Sequence, residues 1–293
     1  VDIKVYWNKQ QKKIETALQK AIPRESVKPG TIHKAMRYSL FAGGKRLRPI
    51  LVLAAAEACG GRPDRALPLA CAVECIHTYS LIHDDLPCMD DDDMRRGMPT
   101  SHKVFGEGMA VLAGDALLTQ AFELTATFPG TRRYSPAAFV LDLARSSGSL
   151  GLIAGQVADL EGEGKKIDPA QLKFIHMNKT AALIACSIRL GAMSANATPA
   201  QLRSLDVFGR SLGLAFQIID DILDITATSE ELGKSAGKDL ASQKSTYPAL
   251  LGLDKAKREA ARLTRLAMGR LDDFGRKGDA LRAISSFMLE RRS

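Results

Sequence analysis

Aromatic residues make up only 5% of the 293 positions, with a single Trp among them. A protein that stacks nucleic-acid bases needs aromatics interleaved with basic runs, and no such run occurs, so nucleic acid is not an expected partner. The formal net charge of +8 still favours an anionic partner, and a small phosphorylated substrate meets that need equally well. Cysteine is sparse and odd in number. Cys59, Cys71, Cys75, Cys88 and Cys186 fall within helical patterns without a pair of CxxC units, which argues against a disulfide framework or a zinc site and for core thiols in a reducing compartment. Apolar runs such as Ile50 to Ala56 stop well short of the roughly 20 residues a membrane span takes. The N-terminal stretch is charged and amphipathic rather than an apolar signal core, so a cytoplasmic protein without a membrane span is expected. No linker, low-complexity tract or repeat interrupts the chain, and residues 1–293 read as one domain.

What the sequence has is helix. Hydrophobic residues form 45% of the chain, enough for a large core. They recur at three- and four-residue spacing through Ile3–Ile22, Pro49–Ala58, Ala66–Asp85, Met109–Thr127, Pro169–Met193, Pro199–Thr226 and Lys255–Phe274. Pro49, Pro169 and Pro199 mark starts, Gly60-Gly61 and Gly275 mark ends, and the alternation of a half-buried strand is scarcely present. The expected fold is all-α. Ala66–Asp85 and Leu212–Thr226 are apolar on nearly every side, the signature of central bundle helices.

Each of those two helices ends in carboxylates. The first group is Asp84, Asp85 and Asp90 to Asp93, followed by Arg95-Arg96; the second is Asp220, Asp221 and Asp224. Asp220 and Asp224 share a helix face. Asp84 and Asp90, six apart, would diverge on an unbroken helix, but Pro87 favours a break after Asp85 that lets the chain return Asp90 to the same space. Negative charge at a helix C-terminus opposes the macrodipole, so two such breaches imply a compensating ligand. Oxygen donors with few His or Cys nearby suit Mg²⁺. A solvated surface face is the plainer reading, and it holds best for Asp91, Asp92 and Asp93.

Cations pose the mirror problem. Gly43-Gly44-Lys45-Arg46-Leu47-Arg48 places three of them before a helix start, where a bound phosphate would make them favourable. Arg95-Arg96 and the trio Lys234, Lys238 and Lys244 follow the two acidic groups; solvated loop lysines are the plainer reading of the last. His77, two helical turns before Asp84, shares its face and could donate to a diphosphate, although a lone His on an apolar helix is usually a core residue.

Taken in order, Gly-Gly-Lys-Arg-Leu-Arg-Pro, Asp-Asp-x-x-x-x-Asp with Arg-Arg after it, Lys179-Thr180 and Phe216-Gln217-x-x-Asp220-Asp221-x-x-Asp224 resemble the trans-isoprenyl diphosphate synthases, from about Arg37 to Leu251. The resemblance implies one large helical bundle around a deep central cavity, the isoprenoid synthase fold, as a homodimer. It implies Asp84, Asp85, Asp90, Asp220, Asp221 and Asp224 as ligands of two or three Mg²⁺ ions, with Mn²⁺ an alternative. Arg95, Lys179, Lys234 and Lys244 would support the allylic diphosphate, and Lys45, Arg48, His77 and Arg96 would hold isopentenyl diphosphate. Thr180 and Gln217 match positions flanking the developing carbocation; Gln156 lies in a family motif without an assigned role. Pro87 and Cys88, additional within the first motif, look like the bacterial farnesyl and plant geranylgeranyl subtypes. Tyr79, about 7.5 Å down the helix from Asp84 at 1.5 Å per residue, with Ser80 beside it, would floor the cavity and stop growth at farnesyl diphosphate, built from dimethylallyl through geranyl diphosphate. A geranylgeranyl or geranyl diphosphate synthase is the nearest rival. A terpene cyclase usually departs from the second aspartate motif, and a non-catalytic helical partner subunit usually lacks one, whereas both are present here.

Overall fold

The computed structural model describes residues 1–226 and 246–289. Helix α1 (Ile3–Ala21) begins where the Asp2 carboxylate accepts the N–H groups of Lys4 and Val5 at 3.0 and 3.2 Å, satisfying donors that the first turn leaves over. Its buried Trp7, Ile14 and Leu18 recur at the helical period, so one stripe faces the core. Helices α2 (Gly30–Leu40) and α3 (Leu47–Ala58) follow, then α4 (Leu67–Asp84), α5 (Ser101–Phe105), α6 (Glu107–Ala126), α7 (Pro136–Ser147) and α8 (Leu152–Gly162). The chain continues through α9 (Pro169–Ile175), α10 (Ala182–Ser194) and α11 (Pro199–Thr226), with α12 (Tyr247–Leu251), α13 (Leu253–Gly269) and α14 (Asp279–Leu289) after the undescribed segment.

The architecture is all-α. α3, α4 and α10 bury residues on all sides, as central helices must. α4 packs most extensively on α6, α10 lies between α3 and α11, and α11 rests on α13. The main apolar core draws on Ile14, Leu53, Ile76, Leu117, Ile188 and Phe208. A second cluster around Leu214, Ile218, Tyr247 and Leu263 supports the last turns of α11, where the second acidic group sits.

Several elements differ from the sequence expectation. The stretch expected as one helix from Pro169 to Met193 contains a π-helical turn at His176–Ala181 between α9 and α10. α2, α5, α7, α8, α12 and α14 were not foreseen: they are short, and neighbouring helices supply the stability their sequences do not announce. Residues 136–162 are together long and apolar enough to cross a bilayer. The chain divides there at residues 148–151 into helices of 12 and 11 residues, each shorter than the roughly 20 a span takes. The strand ladder in the described residues is a two-residue hairpin, β1 (Met94–Arg95) with β2 (Met98–Pro99). Its turn residues Arg96 and Gly97 both have positive φ, 54° and 76°, as a type I′ turn requires.

The thiols divide as well. Cys71, Cys75 and Cys186 are buried, but Cys88 is exposed, contrary to the core placement expected for all five, because the helix has already ended before it.

Candidate active site

The first acidic group is shaped by the end of α4. The helix stops at Asp84, the Met89 amide donates to the Leu86 carbonyl at 2.8 Å, and the Asp90 amide donates to the Asp84 carbonyl at 2.8 Å. That return bond cancels the angular separation of the two aspartates and satisfies a C-terminal carbonyl of the helix. Burial pushes the Asp84 carboxyl up to about 6; Lys179 opposes the shift, while Asp90 and Asp85 add to it. Asp84 thus shares electrostatic space with Lys179 from the π-helical turn. Asp85 is buried, 3% exposed, and Arg95 Nε donates to its two oxygens at 2.7 and 2.9 Å.

The hairpin turn explains why adjacent arginines serve different groups. Arg95, in the strand, is turned to Asp85, whereas Arg96, at positive φ, donates to the Gly43 carbonyl at 2.5 Å. Beside Arg96 lies Arg48, whose Nε is buried without a hydrogen-bond partner. Burial lowers the Arg48 guanidinium to about 10, Glu74 opposing and Arg96 reinforcing the shift. Burial first, then Arg48, Arg96 and Arg95, drive His77 well below the usual imidazole range, so its ring is neutral there. Arg46 of the same basic loop is instead enclosed, 2% exposed and paired with Glu15 at 2.6 Å and Glu74 at 2.7 Å. The Lys45 carbonyl accepts the Trp7 indole N–H at 2.9 Å, which ties the loop to α1.

The second group lies on the last turns of α11. Asp221 is 3% exposed; its Oδ2 accepts the Tyr247 amide at 2.9 Å and the His176 Nε2–H at 3.1 Å. The His176 and Tyr247 rings stack with centroids 5.5 Å apart. Asp224 is 7% exposed, and its Oδ2 has no hydrogen-bond partner.

Between the two groups runs the π-helical turn. Lys179 Nζ donates to Asp159 of α8 at 2.6 Å, and Thr180 Oγ1 donates to Gln217 Oε1 of α11 at 3.1 Å. The turn is gripped on both sides by glycines: a Cβ on Gly155 would lie 2.1 Å from the Lys179 amide nitrogen, and one on Gly213 2.6 Å from the Ala181 Cα. π-Helical turns are uncommon and concentrate at functional sites.

Of the six buried side-chain polar atoms without a partner among the described residues, Arg48 Nε, Tyr79 Oη and Asp224 Oδ2 belong to residues singled out from sequence. An unmet buried polar atom costs about 1–3 kcal/mol, a cost that an anion at Arg48 and a cation at Asp224 would offset. Carboxylate oxygens without cysteine suit a hard cation such as Mg²⁺, and a divalent charge would relieve both the partnerless Asp224 oxygen and the raised Asp84. Asp91, Asp93 and His102 also bring ligand-type atoms within 4.8 Å of one another. Asp93 there already pairs with Lys103 at 2.9 Å, in keeping with the surface reading of that run.

Tyr79 is 5% exposed, its hydroxyl pushed up to about 12 by burial with Asp84 adding. Ser80 Oγ donates to the His77 carbonyl within α4 at 3.0 Å. Lys234, Lys238 and Lys244 lie outside the described residues. Sequence reasoning missed His176, Asp159 and Tyr247. His176, one turn before Lys179, and Asp159, three after Gln156, carried a spacing signal, whereas Tyr247 reaches Asp221 only through tertiary packing.

The polyprenyl synthetase family model matches residues 29–284. A chloroplastic geranylgeranyl pyrophosphate synthase of Capsicum annuum is 50% identical over 99% of this chain and 79% of its own length. The farnesyl diphosphate synthase of Geobacillus stearothermophilus is 47% identical over 99% of this chain and 98% of its own. A putative farnesyl-diphosphate synthase structure from a Marinomonas species superposes with a TM-score of 0.86 at 39% identity, covering 99% of both chains. Paired carboxylate groups, a cationic pocket and the matched family together settle the class: the chain belongs to the polyprenyl synthetase family and is a prenyltransferase.

Proposed function

We propose that this prenyltransferase joins isopentenyl diphosphate to dimethylallyl and then geranyl diphosphate, releasing diphosphate at each round and stopping at farnesyl diphosphate. In each round the allylic C–O bond breaks and its electron pair leaves with diphosphate. The double bond of isopentenyl diphosphate then supplies the pair for the new carbon–carbon bond, and the departing diphosphate takes the proton whose loss forms the product alkene. Asp84, Asp85, Asp90, Asp220, Asp221 and Asp224 would hold Mg²⁺, which when bound neutralises the leaving diphosphate.

The protein's own groups do the rest. Arg95 and Lys179, with Lys234 and Lys244, carry the allylic diphosphate, and the contacts of Arg95 with Asp85 and of His176 with Asp221 orient carboxylates as outer partners orient metal ligands. Arg48, Arg96, Lys45 and His77 receive isopentenyl diphosphate; the partnerless Arg48 Nε and the mutual repulsion of Arg48 and Arg96 support an anion between them. Thr180 and Gln217 present oxygen dipoles to the cation, and apolar walls keep water from trapping it. Exposed Val111, Leu112, Leu141, Ile153 and Val157 on three successive helices support a homodimer in which α6 to α8 are covered.

Product length rests on the buried Tyr79, a bulky ring five residues before Asp84. The geranylgeranyl reading is supported by the Capsicum relative and is separated from the first by product analysis. Purified protein with Mg²⁺, labelled isopentenyl diphosphate and dimethylallyl diphosphate is expected to yield farnesyl diphosphate. Geranylgeranyl diphosphate as the main product moves the assignment to the second reading, and no extension at all removes both.

A further inference from the structure

A ring can gauge product length only if it cannot swing aside when the growing tail presses on it. The Tyr79 hydroxyl makes no hydrogen bond, so no polar anchor holds the ring. Within the main apolar core, the ring meets the edge of His83, one turn along α4, with ring centroids 5.7 Å apart and an interplanar angle of 78°, the favourable edge-on arrangement of rings. His83 is itself tied to the neighbouring helix. Its Nε2–H donates to the Val111 carbonyl of α6 at 3.0 Å, with the Asp115 carboxylate 3.9 Å away. The imidazole fits there because position 114 is glycine: a Cβ on Gly114 would lie 2.1 Å from His83 Nε2, far inside contact distance.

We propose that His83, seated on Gly114 and the Val111 carbonyl, is a positioning residue that braces Tyr79 and so sets product length. The inference rests on the reading of Tyr79 as the cavity floor. His83 then couples the geometry of α6 to specificity without touching substrate. With the brace intact, farnesyl diphosphate does not serve as a primer; with it loosened, the Tyr79 ring turns aside and the longer allylic diphosphate is extended once more.

The test compares His83→Ala, Gly114→Ala and Tyr79→Ala in the full-length chain, reading product length by chromatography of labelled products and the rate of the first condensation separately. His83→Ala and Gly114→Ala are expected to raise the geranylgeranyl share at least about tenfold, the scale of a lost steric discrimination. A purely structural lesion would slow all condensations without moving the product ratio. If Tyr79→Ala lengthens the product while both brace variants still stop at farnesyl, the brace is refuted and the floor stands. If Tyr79→Ala changes nothing, the floor reading falls and the brace with it. Should His83→Ala fail to fold, Gly114→Ala carries the same comparison, because it displaces the imidazole without removing it.

Discussion

The Asp90 amide donates to the Asp84 carbonyl at 2.8 Å, and this one backbone bond turns two aspartates six positions apart into neighbours. The loop it closes carries Pro87, which cannot continue the helix. Asp84→Asn is expected to lower kcat by about 10²–10³, the range for losing one group that stabilises a developing charge. Thermal unfolding with and without Mg²⁺ and pyrophosphate gives an independent reading. The wild-type chain should gain stability from the pair and lose that gain with EDTA, whereas Asp84→Asn should gain much less.

Arg48 is held beside Arg96 with its Nε unpartnered, an arrangement that favours an anion over the empty pocket. Arg48→Met is expected to leave the substrate-free fold as stable as before or firmer by roughly 1 kcal/mol, since it removes an unmet buried donor. The same change should raise KM for isopentenyl diphosphate by about 10- to 100-fold, the worth of a hydrogen bond to a charged group. Calorimetry and steady-state kinetics on one preparation check both signs.

His77 is depressed in the folded chain, chiefly by burial and then by Arg48 and Arg96. As pH falls below the ordinary value of 6.5, the unfolded chain takes up a proton that folded His77 refuses, so stability declines toward acid with a slope of at most ~1.4 kcal/mol per pH unit from this group. His77→Gln should flatten that part of the profile. Unfolding midpoints measured from pH 7.5 down to about 5 show whether the difference between the two proteins closes in the acid range.

Arg46 belongs to the same loop as Arg48 but is enclosed by Glu15 and Glu74, the latter 2% exposed. Arg46→Met leaves Glu74 buried without its partner and is expected to cost about 3–5 kcal/mol. Adding Glu74→Gln to that variant should restore part of the loss, because the stranded charge is gone. Denaturant unfolding of the single and double variants measures the coupling.

Much of the fold was legible in residue spacing. α4 and the second half of α11 declared themselves as central because their apolar residues cover nearly every face, and proline and glycine punctuated several helix ends. α7 and α8 did not, because an apolar stretch broken at residues 148–151 has no pattern that distinguishes two short helices from a loop. In the site, the return of Asp90 was readable from Pro87, while the partners of Asp221 were not: the Tyr247 amide arrives from 26 positions away.

By itself the order of amino acids determined the all-α class, the placing of carboxylates at the ends of two buried helices and the family to which the chain belongs, because these depend on periodicity and on local motifs. Tertiary structure alone decided that Arg46 is enclosed and Arg48 left wanting, that His176 and Tyr247 hold Asp221, and that His83 leans on Tyr79. Those outcomes depend on which groups from distant segments meet and exclude water, and that is settled by packing rather than by any residue's own neighbours along the chain.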